Sequence, residues 1–221
     1  LLIARKIGEE KFKKFYEDTK LLKSPDLQLQ EVGIPINFNW NKCKLETVSF
    51  GHGITTTPIQ AATVYAALTN GGKLIQPSLV KKKDKNEIYN QLVSVHTSEK
   101  INNILRKVVT DEAGTASLAD VDGYNVAGKT GTSQNYFNKK ENLNTFISVF
   151  PSHKPKYVLL VMLENPQAAK DLIYNYRGLK IKSNRNEAGW NSVYVAGKII
   201  KKIGPILAIN NKDFNSQYVV E

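Results

Sequence analysis

Residues 123–134 read Gly-Tyr-Asn-Val-Ala-Gly-Lys-Thr-Gly-Thr-Ser-Gln, a stretch open to two readings that lead to different folds. From Gly123 to Thr130 it fits Gly-x4-Gly-Lys-[Ser/Thr], the loop that cradles phosphates where a buried parallel strand turns into a helix. The flanks argue against that. Upstream, Ser117–Asp122 carries two acids and no apolar run; downstream, Gly131 falls in the would-be first turn, with no helical apolar period after it. Tyr124 and Val126 fill the loop where glycine is wanted, and no later apolar strand ends in an aspartate placed to hold Mg²⁺. The second reading is a strand. Asp122-Gly123 marks a turn, Tyr124–Ala127 alternates into the strand, and Gly128 and Gly131 are expected to strip side chains from its working face. Lys129, Thr130 and Thr132 then offer one cation and two hydroxyls, a set suited to a carboxylate. The strand reading is the better one, and nucleotide binding is kept only as the weak alternative.

The rest of the composition narrows the class. With 41% hydrophobic and 23% charged residues, the 221-residue chain is ordinary globular material, of a length for one large domain or one domain with an appendage. Its longest apolar run, Tyr157–Leu163, falls well short of the roughly 20 residues a membrane span needs. Cys43 is the only cysteine, so no internal disulfide forms, and His52, His96 and His153 lack metal-ligand spacing. No metal or cofactor is expected. Nor does Cys43, in Trp40–Lys44, have a helix N-terminus to activate it as a nucleophile. The net charge of +11 gathers at Lys81-Lys82-Lys83, Lys139-Lys140 and Lys201-Lys202. Without interleaved aromatics or a reading motif, this is a solvated surface rather than a nucleic-acid footprint, with attraction to anionic membrane or wall polymer as the second reading.

Along the chain, the opening residues make a helical stripe (Leu2, Ile3, Ile7, Phe12, Phe15, Tyr16) broken at Gly8. No capping residue precedes it, so the helix is expected to enter from sequence not present here. Residues 24–50, with Pro25, Pro35 and several Asn, read as extended or loop-like. Thr57-Pro58-Ile59-Gln60 is a capping box that opens a small-residue helix, after the turning approach Gly51-His52-Gly53, and Asn70-Gly71-Gly72 stops it. A helix is predicted over Thr97–Val109, and strands over Asn144–Phe150 and Tyr157–Leu163, joined by Pro151–Pro155. A last helix spans Trp190–Ile203 and should end at Gly204-Pro205. The pattern predicts an α+β fold, an antiparallel sheet with helices on one face.

Several motifs, taken in order, resemble one family. Phe50-Gly-His-Gly-Ile54, Thr57-Pro58-Ile59-Gln60, Asn70-Gly71-Gly72, Gly114-Thr115-Ala116, Val126-Ala-Gly-Lys-Thr-Gly-Thr132 and Ala188-Gly189-Trp190 are similar to the transpeptidase domain of class B penicillin-binding proteins, more narrowly the division-specific branch. The resemblance implies that residues 1–221 are the C-terminal part of one transpeptidase (serine β-lactamase-like) domain. Residues 1–115 would form a mainly helical lobe segment, 120–209 the sheet strands and C-terminal helix, and 210–221 a tail.

The resemblance further implies catalytic roles for Lys129 and Thr132 and substrate binding by Thr130, Gly131 and Thr132. Lys129 supplies positive field. Thr130 and Thr132 receive the terminal carboxylate of a peptidoglycan stem or a β-lactam, Gly131 keeps the strand clear, and the Thr132 N–H forms half of an oxyanion hole. Partners would be stem peptides ending in D-Ala-D-Ala, β-lactams, and other division and wall-synthesis membrane proteins, on the periplasmic side of an inner membrane that an N-terminal segment anchors. The family's nucleophile motif, Ser-x-x-Lys, does not occur upstream of Lys129 in a helical setting. Ser78-Leu-Val-Lys81 follows Gln76-Pro77 and lies after Gly-His-Gly, in the wrong order, and Ser133-Gln-Asn135 follows Lys-Thr-Gly instead of preceding it. Both are read as coincidences, and the chain alone as inactive; a stand-alone, non-catalytic binding module is the alternative reading. His52 has no acid–base partner beside it in sequence and is read as a solvent-facing or satisfied histidine. Tyr136 and Phe137 could line a cleft or pack as loop aromatics.

Overall fold

The computed structural model describes residues 1–36, 39–41, 44–80, 88–134 and 142–209. Cys43, Lys81–Lys83, Asn135, Tyr136, Phe137, Lys139, Lys140 and the 210–221 tail lie outside the described residues. The chain forms two compact units, Leu1–Ser98 and from Glu99 onward.

In the first unit the opening stripe forms α1 (Leu2–Ile7) and α2 (Glu9–Thr19), separated at Gly8, whose φ of 88° no helix accommodates. Residues 24–50 are not extended or loop-like throughout. A one-turn helix, α3 (Lys44–Val48), forms there because Val48 is buried and Glu46 pairs with Arg5 at 3.1 Å. Trp40 packs edge-on against Phe12 and Tyr16 of α2. The capping box closes at α4 (Pro58–Thr69): Thr57 Oγ1 accepts from the Gln60 N–H at 3.3 Å, and Gln60 Oε1 accepts from the Thr57 N–H. Gly71 and Gly72, at φ of 92° and 91°, end that helix. They lead into β1 (Lys73–Ile75), which pairs antiparallel with β2 (Ile88–Gln91).

The second unit holds the sheet. Helix α5 (Val95–Thr110), within which the division between the units falls, starts two residues before the predicted position because Ser94 Oγ accepts from the Thr97 N–H at 3.1 Å. Strands β3 (Ala127–Gln134), β4 (Asn142–Phe150) and β5 (Tyr157–Glu164) form an antiparallel sheet in that order, with β3 at one edge. The predicted hairpin is β4–β5. Strand β3 begins at Ala127, not Tyr124, because Gly123 (φ 82°) and Asn125 (φ 47°) hold a left-handed approach. The short hairpin β6 (Ile173–Tyr176) and β7 (Leu179–Lys182) turns at Arg177 and Gly178, both with positive φ.

Helix α6 (Ser192–Ile209) covers one sheet face, where Phe146, Phe150 and Val161 meet Val193, Ala196 and Ile200 in the core. This is the α+β architecture the pattern predicts. However, α6 runs through Gly204-Pro205 instead of ending there. Leu207 still packs against the core, so burial of the last turns offsets the hydrogen bond that proline cannot donate. Gly204 provides clearance: a Cβ on it would lie 2.3 Å from the Tyr124 ring. Gly197 and Gly189 serve the same segment. A Cβ on the first would lie 2.5 Å from Leu118 O, and on the second 2.6 Å from Thr115 O. Residues 115–124 are thereby seated against the C-terminal helix and its lead-in.

Candidate active site on the edge strand

The Gly123–Thr130 stretch is the lead-in and first half of β3, an antiparallel strand paired with β4 (Ala127↔Val149 through Gln134↔Asn142). Its N–H groups are therefore not gathered at a helix mouth, which removes the physical basis of a phosphate loop. Alternation also corrects the glycine reading. Gly128 and Gly131 are three residues apart and so lie on opposite faces. Gly128 serves the core, where a Cβ would lie 2.6 Å from Phe146 Cζ and 2.7 Å from Ile147 O. Gly131 has open space, with only Thr145 Cβ at 3.8 Å.

Lys129 is exposed, and its Nζ folds back to donate to Thr130 O at 2.8 Å, 3.5 Å from Thr130 Oγ1. The half-buried Thr130 shares a hydrogen bond with Thr115 between their Oγ1 atoms at 2.9 Å. Thr132 Oγ1 accepts from the Ala188 N–H at 3.3 Å. The loop carrying Ala188 is in turn tied to the sheet. Buried Asn144, the register partner of Thr132, donates to Asn186 O at 2.6 Å, and Ser192 Oγ donates to Ala188 O.

Thr130 and Thr132 open onto a cleft of about 400 Å³, walled across from them by Thr115, Tyr176, Arg185 and Trp190. Tyr176 stacks on Trp190 at 5.2 Å, Arg185 lies over the Trp190 ring at 5.9 Å, and Arg177 lies over Tyr176. The Arg177 guanidinium beside it holds the Tyr176 hydroxyl below the usual tyrosine range. Two acids, Glu112 and Glu187, share the rim, so the cleft is amphoteric. Such a site can hold an anion against two hydroxyls, with the Lys129 charge close behind Thr130, while its far wall takes apolar or charged groups.

In the sequence Thr115 and Trp190 stand only within motifs that carry the family resemblance, and Tyr176 and Arg185 stand in none. The usable signal was Gly189, a close-approach glycine whose neighbour is Thr115. Ser78 lies in irregular chain, its Oγ donating to Val80 O at 2.7 Å, not on a helix. His52 is exposed and stacks on Phe50.

Residues 1–184 match the family described as the penicillin-binding protein transpeptidase domain. Among similar proteins, a Caulobacter vibrioides protein named probable peptidoglycan D,D-transpeptidase FtsI is 28% identical over 96% of this chain and 36% of its own length. Stage V sporulation protein D of Bacillus subtilis is 31% identical over 75% of this chain and 28% of its own. The chain thus spans about a third of the length of these relatives. The transpeptidase domain of Burkholderia pseudomallei penicillin-binding protein 3 superposes with a TM-score of 0.76 at 23% identity, over 96% of this chain and 61% of that one, and shares the fold. With an antiparallel sheet covered by α6 and Lys-Thr-Gly-Thr on its edge strand, the chain belongs to the penicillin-binding protein transpeptidase domain family.

Proposed function

We propose that this chain supplies one wall of the acyl-transfer site of a peptidoglycan D,D-transpeptidase of class B, serving cell division. The observation that carries the reading is the placement of Thr130 and Thr132 beside the 400 Å³ cleft, with Lys129 Nζ reaching back to Thr130, on a strand whose outer edge is unpaired among the described residues. A serine on sequence outside residues 1–221 attacks the carbonyl carbon of the D-Ala-D-Ala bond. The C–N bond breaks, the terminal D-alanine leaves as an amine that has taken up a proton, and an acyl ester remains on the serine. The amine of a second stem peptide then attacks that ester, forming the cross-link and returning the proton and the hydroxyl. A β-lactam enters by the same attack and its ring opens, leaving a slowly hydrolysed ester.

In this scheme Thr130 and Thr132 receive the carboxylate, and Lys129 supplies the field that attracts it and orients the serine region. Gly131, on the same face of β3 as Lys129 and the opposite face from Thr130 and Thr132, keeps that face of the strand clear. The Thr132 N–H contributes half of the oxyanion hole, a donor whose loss typically slows such reactions by about 10²–10³. The protein acts on the periplasmic side of the inner membrane, held by an anchor outside this chain and alongside other division and wall-synthesis proteins.

The test is acylation of the full-length protein by a fluorescent penicillin. Lys129→Ala should lower the second-order acylation rate by about a hundredfold, the scale of a charge-assisted contact, with the thermal melt unchanged. Unaltered kinetics would remove Lys129 from the site.

A further inference from the structure

Thr130 Oγ1 has two lone pairs and one proton, and which of them faces the cleft decides whether it can hold an anion. Its nearest partner is Thr115 Oγ1 at 2.9 Å, and Lys129 Nζ approaches the same oxygen at 3.5 Å. The ammonium can only donate. If Thr115 donates as well, the lone pairs of Thr130 are both engaged, and its own proton has no use except outward. Were Thr130 to donate to Thr115 instead, it would present oxygen lone pairs to a carboxylate and repel it.

Thr115 is fixed well enough to act as this reference. The Ala116 N–H bonds to Val108 O at 3.0 Å, so the chain on one side of Thr115 is pinned to α5. On the other, a Cβ on Gly114 would lie 2.4 Å from Val108 O. Gly189 packs directly on the Thr115 carbonyl, where a Cβ would come within 2.6 Å. These are backbone contacts, which a rotating side chain cannot relax. The exposed hydroxyl of Thr115 is therefore held at a set point over β3, although Thr115 lies fifteen residues before Thr130 in sequence.

We propose that Thr115 is a positioning residue: its hydroxyl donates to Thr130 Oγ1 and so turns the Thr130 proton toward the carboxylate of the bound ligand. The inference rests on the reading of β3 as the carboxylate-receiving wall, and it adds to that reading a residue from a separate segment, selective for the anionic group of the ligand.

The experiment compares two probes on the full-length protein, a β-lactam bearing its free carboxylate and the corresponding methyl ester. The readout is the ratio of their second-order acylation rates. Thr115→Val keeps the shape and removes the hydroxyl, and it should lower the carboxylate-over-ester preference by about tenfold, the worth of one hydrogen bond. Thr115→Ser should restore most of the preference. A merely structural role for Thr115 would slow both probes alike and leave the ratio where it was; that result, or no effect at all, overturns the proposal. Thr130→Val, measured in parallel, separates the two levels. If Thr130→Val collapses the ratio while Thr115→Val does not, the positioning role falls and the wall stands. If Thr130→Val also leaves the ratio untouched, the wall reading fails and this inference fails with it.

Discussion

Gly128 and Gly131 belong to one motif and answer to different forces. An alanine methyl at 128 has nowhere to go, since both the Phe146 ring and a backbone carbonyl stand within 2.7 Å of it. Gly128→Ala should therefore cost about 1–3 kcal/mol by overpacking, read as a lower midpoint in urea. Gly131→Ala meets only ordinary contact at 3.8 Å. It should leave stability near the parent's and act instead on the Lys129 side of the strand, slowing acylation in the full-length protein. The reverse pattern would mean that the two glycines have been assigned to the wrong faces. Nucleotides should not bind at Gly123–Thr130, because strand N–H groups alternate in direction and cannot wrap a diphosphate. A micromolar, magnesium-dependent isotherm for ATP, abolished by Lys129→Ala, would count against this.

At the scale of elements, the signals with a mechanism of their own were readable. Thr57-Pro58-Ile59-Gln60 specified the start of α4 because both halves of the capping box are local, and the β4–β5 hairpin followed from two apolar runs either side of a proline-bounded turn. Elements whose causes lie elsewhere in the chain were not. Helix α3 depends on burying Val48, and the β6–β7 strands are short, polar and joined by Arg177-Gly178, which carries little turn signal. Gly204-Pro205 reads as a stop, yet its glycine answers to Tyr124, eighty residues away. The site divides in the same way. Lys129, Thr130 and Thr132 stand together in a motif, whereas Tyr176, Arg185 and Thr115 reach the cleft only through the fold. Gly197 tests the point. In a free helix Gly→Ala gains about 1 kcal/mol, but here the methyl would press on Leu118 O at 2.5 Å and Ala119 Cα at 3.2 Å. Steric cost should win, so Gly197→Ala lowers the melting temperature; a rise would show that the segment yields freely.

For the whole molecule, two consequences follow from what these 221 residues contain. Incubated with penicillin, the chain by itself should show no covalent adduct by intact mass, because Ser78 lies off any helix. A stoichiometric adduct on Ser78 would sink the proposed division of labour. Strand β5, moreover, is paired along one side only, among the described residues, and carries exposed Met162. Unprotected edges recruit other edges. The isolated chain should self-associate as its concentration rises in sedimentation, with Met162→Lys reducing the effect; a monomer at every concentration would argue otherwise.

The three glycines that seat residues 115–124 against α6 and its lead-in have a further effect, on the order in which the protein comes apart. With no side-chain cushion between the two segments, neither can loosen by small steps. They open as one cooperative unit. Amide hydrogens of Ala116 and Ala119 should then exchange with deuterium at the pace of the central α6 amides rather than at loop rates. Heat would erase the Thr115–Thr130 contact at the moment the C-terminal helix lets go, and not before.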